Sequence, residues 1–167
     1  MMKRLRAASE KWKNLKPFPF VIITTLLALL ITVLIGLVIE LAGVELEEIG
    51  GPELEKYTLG EAFFLVVFMG PVIETWLGQS LPIRLIQKLV RWKTNTVALI
   101  FSTLFFSFCH MMYSVWYFLL ILPMGWALAA TYLLFQQRKG SAFWMTFWVH
   151  AARNAIGVLL SIGEFVD

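Results

Sequence analysis

Polar and apolar positions divide the chain into five long apolar stretches joined by short charged segments: residues 18–42, 59–81, 96–112, 115–135 and 142–162. About 20 apolar residues in a helix cross a bilayer core. The pattern therefore predicts an all-α, polytopic helical membrane protein with about five transmembrane helices. The third stretch is the shortest and leaves little room for tilt. Between the second and third, residues 83–92 alternate apolar Ile83, Leu85, Ile86 and Leu89 with Arg84, Lys88 and Arg91 near a helical period. That pattern predicts an interfacial helix on the cytoplasmic leaflet, with a substrate-docking surface as the alternative. Gly50, Gly51 and Pro52 mark a turn after the first stretch.

Charge orients these segments. Lys3, Arg4, Arg6, Lys11, Lys13 and Lys16 fill the start of the chain, residues 1–17, in the manner of a signal-peptide n-region. The following run is too long for an h-region and no convincing cleavage site ends it, so an uncleaved span is expected. Glu45, Glu47, Glu48, Glu53 and Glu55 follow the first stretch, opposed only by Lys56. Arg84, Lys88, Arg91 and Lys93 follow the second, Arg138 and Lys139 precede the fifth, and Glu164 and Asp167 close the chain. With basic segments inside, the N-terminus is cytoplasmic, the C-terminus is outside, and 12 of 14 basic residues lie inside.

Composition agrees with a membrane setting: 59% of residues are hydrophobic and the mean hydropathy is +0.77. One membrane domain over residues 1–167 is expected, with a first span at 18–42 and a helical core over 59–162. Trp92, Trp116 and Trp144 near segment ends are candidate interfacial anchors. The net charge of +3 points to anionic lipid beside the spans rather than to nucleic acid. The single Cys109 excludes an intramolecular disulfide and a cysteine metal cage.

Against that background a few polar residues inside the apolar stretches carry the chemistry. Ionisable groups at the centre of a membrane helix cost roughly 2.5–3.5 kcal/mol by insertion scales. Glu74 lies in Gly70-Pro71-Val72-Ile73-Glu74-Thr75-Trp76-Leu77-Gly78-Gln79, and both histidines, His110 and His150, lie in other stretches. A carboxylate so placed suits general-base work, and Pro71 one turn earlier frees a backbone carbonyl. The bland alternative is a Glu that snorkels or bonds a neighbouring helix. His110 follows Phe106 by one turn, where a packed interfacial His is the alternative. His150 and Asn154, at i and i+4, share one helix face. They suit either an oxyanion hole or an interhelical polar clamp.

Arg153 needs a nearby acid or carbonyls, with Glu74 the nearest candidate by depth, and the pattern assigns it no role. Two His and one Glu match a zinc ligand set, but no His-Glu-x-x-His helix is present and no metal or other cofactor is expected. Cys109 and His110, neighbours on a helix, point about 100° apart and do not pair.

Taken together, these clusters resemble the CPBP family, the intramembrane CAAX-protease and bacteriocin-processing glutamic endopeptidases also called Abi proteins. The family pattern is Glu-Glu-x-x-x-Arg, then Phe-x-x-x-His, then His-x-x-x-Asn or Asp, each on its own span. The second and third motifs stand here as Phe106 to His110 and His150 to Asn154, and the first stands as Glu74-Thr75-x-x-x-Gln79. The match covers about residues 66–162. The resemblance implies an intramembrane endopeptidase in which Glu74 and His110 activate a water and His150 and Asn154 stabilise the oxyanion. Thr75 and Gln79 replace the family's second Glu and its Arg, a neutral pair able to hydrogen-bond in place of an ion pair. The resemblance further implies a peptide or membrane-protein substrate and a bacterial plasma membrane. Some family members are proposed to act in bacteriocin immunity, so a non-enzymatic interaction protein is the alternative. A small transporter would need a second gate and repeated architecture.

Counting residues from the cytoplasmic ends, Glu74 and His150 lie roughly 8–12 Å deep. His110 lies roughly 21 Å deep by the same count, about 10 Å too far outward. A water-filled cavity open to the cytoplasmic half is expected, with span three beginning deeper than its hydropathy suggests.

Overall fold

The computed structural model describes residues 10–91, 93–138 and 140–165, with the side chains of Leu46 and Glu164 excepted. The basic positions Lys3, Arg4, Arg6 and Lys139, the anchor Trp92 and the terminal Asp167 lie outside the described residues. Helices are joined by short turns, except that residues 42–58 form a longer loop with a helical turn at Leu46–Ile49 and a 3-10 turn at Leu54–Lys56, and there is no strand among the described residues. Helix α1 is Pro17–Leu41, α2 is Leu59–Leu89, α3 is Thr94–Cys109, α4 is Val115–Gln137 and α5 is Ala142–Leu160. Among the described residues α1, α2 and α4 are long and apolar enough to cross a membrane, and α3 is an apolar but shorter helix of 16 residues. Helix α5, which carries His150, Arg153 and Asn154, falls outside that group.

The centre of the bundle is α4, which packs against α1, α3 and α5. Its buried Gly125, Ala127 and Ala129 let neighbouring backbones approach closely. Helix α1 buries Phe20, Thr24, Ala28 and Thr32, a four-residue repeat that forms one inward stripe. Thr25 on that helix donates to the carbonyl of Val149 on α5 at 3.3 Å. The opposite face of α1 leaves Ile22, Leu26, Leu30 and Leu34 exposed, as a lipid-facing surface requires.

The interfacial helix expected over 83–92 is not a separate element. Residues Leu81–Leu89 continue α2 without a break. Hydropathy fades there because of Arg84, Gln87 and Lys88, but two of those side chains turn into polar contacts with α4. Arg84 Nε donates to the Tyr132 hydroxyl at 3.0 Å, and the Gln87 and Gln136 side-chain amides exchange hydrogen bonds at 2.8 and 3.0 Å. With Ile83 fully buried, the segment belongs to the bundle.

Two stretches of α2, Phe63–Met69 and Thr75–Ser80, are wound as π-helix around the α-helical turn Gly70–Glu74. Each lies just before a proline, which has no N–H to donate. In the π register Pro71 would bond the carbonyl of Val66; Asn154 Nδ2 on α5 donates to that oxygen instead, at 2.9 Å. In the α register Pro82 would bond Gly78, and Ser102 Oγ on α3 donates to that carbonyl at 2.6 Å. Side chains of neighbouring helices thereby complete the backbone of α2 on both sides of Glu74.

Candidate active site

Glu74 sits midway along α2. Its Oε2 is 3.5 Å from His110 Nε2 and 3.6 Å from His150 Nε2. The three motif helices therefore meet at one carboxylate oxygen. The mismatch in depth disappears because the inner end of α2 is Leu89 rather than Leu81. Glu74 is then 15 residues from that end and His110 is 16 residues from Thr94, roughly 22 and 24 Å. Span three need not begin deeper. Helix α5 starts further in, with Phe143 packed on the cluster that holds Ile83, so eight residues suffice to bring His150 to the same level.

Local features fix each group. Gly70 gives Glu74 its space: a Cβ there would stand 3.1 Å from the Leu65 carbonyl and 3.4 Å from Glu74 Oε1. His110 caps the end of α3, and its Nδ1–H donates to the Phe106 carbonyl at 2.8 Å. That bond sets the tautomer: in the neutral ring, Nε2 faces Glu74 with a lone pair. Phe106 is buried, its ring 4.6 Å from the His110 ring and 5.6 Å from the His150 ring. Gly78 and Gly125 form its cradle, where added Cβ atoms would meet the ring at 2.8 and 3.2 Å. The Glu74 side chain is 36% accessible and that of His150 only 4%. Solvent therefore reaches the acid while the second imidazole stays in the wall.

Thr75 and Gln79 are fully buried behind the site, and neither lines the cavity. The hydrogen-bonded pair expected of them is absent, since Thr75 Oγ1 and both Gln79 amide atoms have no protein partner. Among the described residues no group of three His, Cys, Asp or Glu side chains is arranged to hold a metal ion.

Glu74, His110, His150 and Asn154 line one cavity of about 560 Å³. Its mouth is formed by Gly51, Pro52, Glu53, Lys56 and Tyr57 with Tyr113. These residues belong to the acidic loop after α1 and to the α3–α4 turn, which Ser114 Oγ ties together by donating to the Ile49 carbonyl. The cavity thus opens at the acidic end of the bundle, opposite Arg84, Lys88 and Arg138. This reverses the expected opening toward the basic end. The cause is again the true length of α2, which puts Glu74 deep from that end. At the mouth, the hydrogen bond that Lys56 donates to the Glu53 carboxylate raises the Lys56 pKa above its usual value. Partial burial, and then the charge of Glu74, raise that of the Tyr113 phenol.

Sequence reasoning missed two contributors. The 51–57 loop had only a turn signal. Arg153 had no assigned place, and it stands in the cavity wall.

Residues 58–156 match the family described as Type II CAAX prenyl endopeptidase Rce1-like. The chain belongs to this family. The matched region contains Glu74, His110, His150 and Asn154. No curated protein and no solved structure significantly matches the chain.

Proposed function

We propose that this member of the CAAX endopeptidase family is an intramembrane glutamic endopeptidase, a single five-span membrane domain that hydrolyses a peptide bond without a metal. The observation that carries the reading is the Glu74 carboxylate 3.5 Å from the His110 imidazole. Both facing atoms, Glu74 Oε2 and the lone pair of neutral His110 Nε2, are acceptors. A water bound between them donates to both and is polarised for attack. Its oxygen bonds to the substrate carbonyl carbon while its proton passes to the Glu74–His110 pair. The oxyanion that forms is met by His150 and by the second Nδ2–H of Asn154, whose first is spent on Val66. The proton then goes to the leaving amine as the C–N bond breaks. Phe106 positions both imidazoles, while Thr75 and Gln79 fill the buried face of α2 behind the site.

By the positive-inside rule the basic end faces the cytoplasm, which puts the N-terminus inside, the C-terminus outside and the cavity mouth on the outer face. The substrate is then a peptide or membrane-protein segment that enters from that side. Cleavage of a reporter membrane peptide by purified protein tests the mechanism, with Glu74→Gln and His110→Ala each expected to lose at least about 100-fold in rate. Turnover like wild type in both variants removes it. The unpartnered Thr75 and Gln79 favour a second reading, a bacteriocin-immunity or membrane interaction protein that binds a peptide in the same cavity without cutting it. That reading predicts binding with no product.

A further inference from the structure

Arg153 is the charge deep in the cavity wall that the proposed chemistry leaves unused. It lies on the turn of α5 that carries Asn154, three residues after His150, and it is half-buried. A guanidinium cannot shed its charge in a protein and presents five donors in a planar fork. Among the described residues it forms no ion pair or hydrogen bond, and its Nε is buried without any partner. The acid closest at hand, Glu74, presents Oε2 to His110 and His150 instead. The other cation of the cavity, Lys56 at the mouth, is already paired with Glu53. The deep wall therefore holds a fixed positive charge with free donors, in a cavity that a peptide must enter to reach Glu74.

Resting on the peptide-binding reading of this cavity, we infer that Arg153 is a specificity residue that receives a carboxylate of the substrate beside the bond to be cut. A planar fork facing a carboxylate makes two parallel charge-assisted hydrogen bonds. Two sources supply that chemistry in a peptide, its C-terminal carboxylate and an Asp or Glu side chain near the scissile bond. The first demands a site close to the chain end, and the second allows an internal cut.

Binding separates this inference from catalysis. Full-length protein carrying Glu74→Gln is titrated in detergent with fluorescent peptides by anisotropy. One pair of peptides differs only in a C-terminal acid or amide, and a second pair in an internal Glu or Gln. Binding of the acid form of one pair at least about tenfold tighter is expected, the size of one charged hydrogen-bonded contact. The pair that shows the preference names the source. The preference falls to within about twofold in Arg153→Gln and survives in part in Arg153→Lys, which keeps the charge but not the fork. Equal affinity for acid and neutral peptides, no measurable binding of any of them, or a preference unchanged in Arg153→Gln overturns the inference. In the protein with Glu74 restored, Arg153→Gln raises KM for the acid peptide with little change in kcat. A loss confined to kcat assigns Arg153 to the oxyanion instead and also overturns the inference. If acid peptides bind selectively while wild type cleaves nothing, the protease reading falls and the carboxylate site stands.

Discussion

Replacing Gly78 by alanine tests whether the site is held from behind by packing. A Cβ at this position would lie 2.8 Å from Phe106 Cδ2, well inside van der Waals contact. The ring has little retreat, because Gly125 backs its other edge so closely that even a Cβ built there would stand only 3.2 Å from Phe106 Cδ1. Either α2 and α3 separate or Phe106 leaves its rotamer, and overpacking of this kind costs about 1–3 kcal/mol. Movement of Phe106 carries the carbonyl that orients His110 and the ring stacked 4.6 Å from it. A catalytic group misplaced by about 1 Å costs on the order of 100-fold in rate. Gly78→Ala should therefore lower the melting temperature of the purified protein by roughly 2–12 °C and reporter cleavage by about two orders of magnitude. Gly60→Ala, where nothing lies within 4 Å, is the control and should be neutral or slightly stabilising. A Gly78→Ala protein as stable and as active as Gly60→Ala would refute the cradle and the positioning role of Phe106.

Three further outcomes are expected. Asn154→Ala leaves the Val66 carbonyl without a donor and should cost about 1–3 kcal/mol. Pro71→Ala supplies an N–H to the same turn, so the double variant should lose less than the sum, as a cycle of denaturation measurements would detect. Ser102→Ala removes the 2.6 Å bond to the Gly78 carbonyl and should cost roughly 1 kcal/mol, seen as a lower midpoint with catalysis otherwise intact. In a Cys109→Ser background, Glu47→Cys should react with a membrane-impermeant maleimide in intact cells and Lys88→Cys only in inverted vesicles. The reverse pattern would place the cavity mouth on the cytoplasmic side.

The helices were legible because apolar runs in this chain are long and their ends carry charge. The grouping at the candidate site was legible because Glu74, His110, His150 and Asn154 are costly where they stand. The depth of Glu74 was not. Hydropathy treats Arg84 and Gln87 as an exit from the membrane, whereas Tyr132 and Gln136 on α4 satisfy them within the bundle. A partner 48 or 49 residues away leaves no local trace, and the error shifted Glu74 about 10 Å relative to His110. The same error turned the expected cavity mouth to the wrong end. Pro71 did announce a freed carbonyl, but nothing in the spacing said that Asn154 would take it.

That last contact links backbone irregularity to the proposed chemistry. A regular α-helix through residues 63–80 would pair the Val66 carbonyl with the Gly70 N–H and leave Asn154 without this partner. Pro71 and the π-wound turns create an acceptor on α2 at the level of the site, and Asn154 locks α5 to it. His150 lies one turn earlier on the same face, so the lock also sets the imidazole against Glu74 Oε2. Asn154 is thereby constrained as a clamp before it can serve as a donor, and only one of its amide hydrogens remains for an oxyanion. Asn154→Asp separates the two duties. An ionised carboxylate can neither donate to Val66 nor stabilise an oxyanion, whereas a protonated one can do only the first. Stability that recovers on acidification while cleavage, taken relative to wild type at the same pH, does not would assign the clamp and the oxyanion contact to different hydrogens of the same amide. Full recovery of both would leave Asn154 a clamp alone.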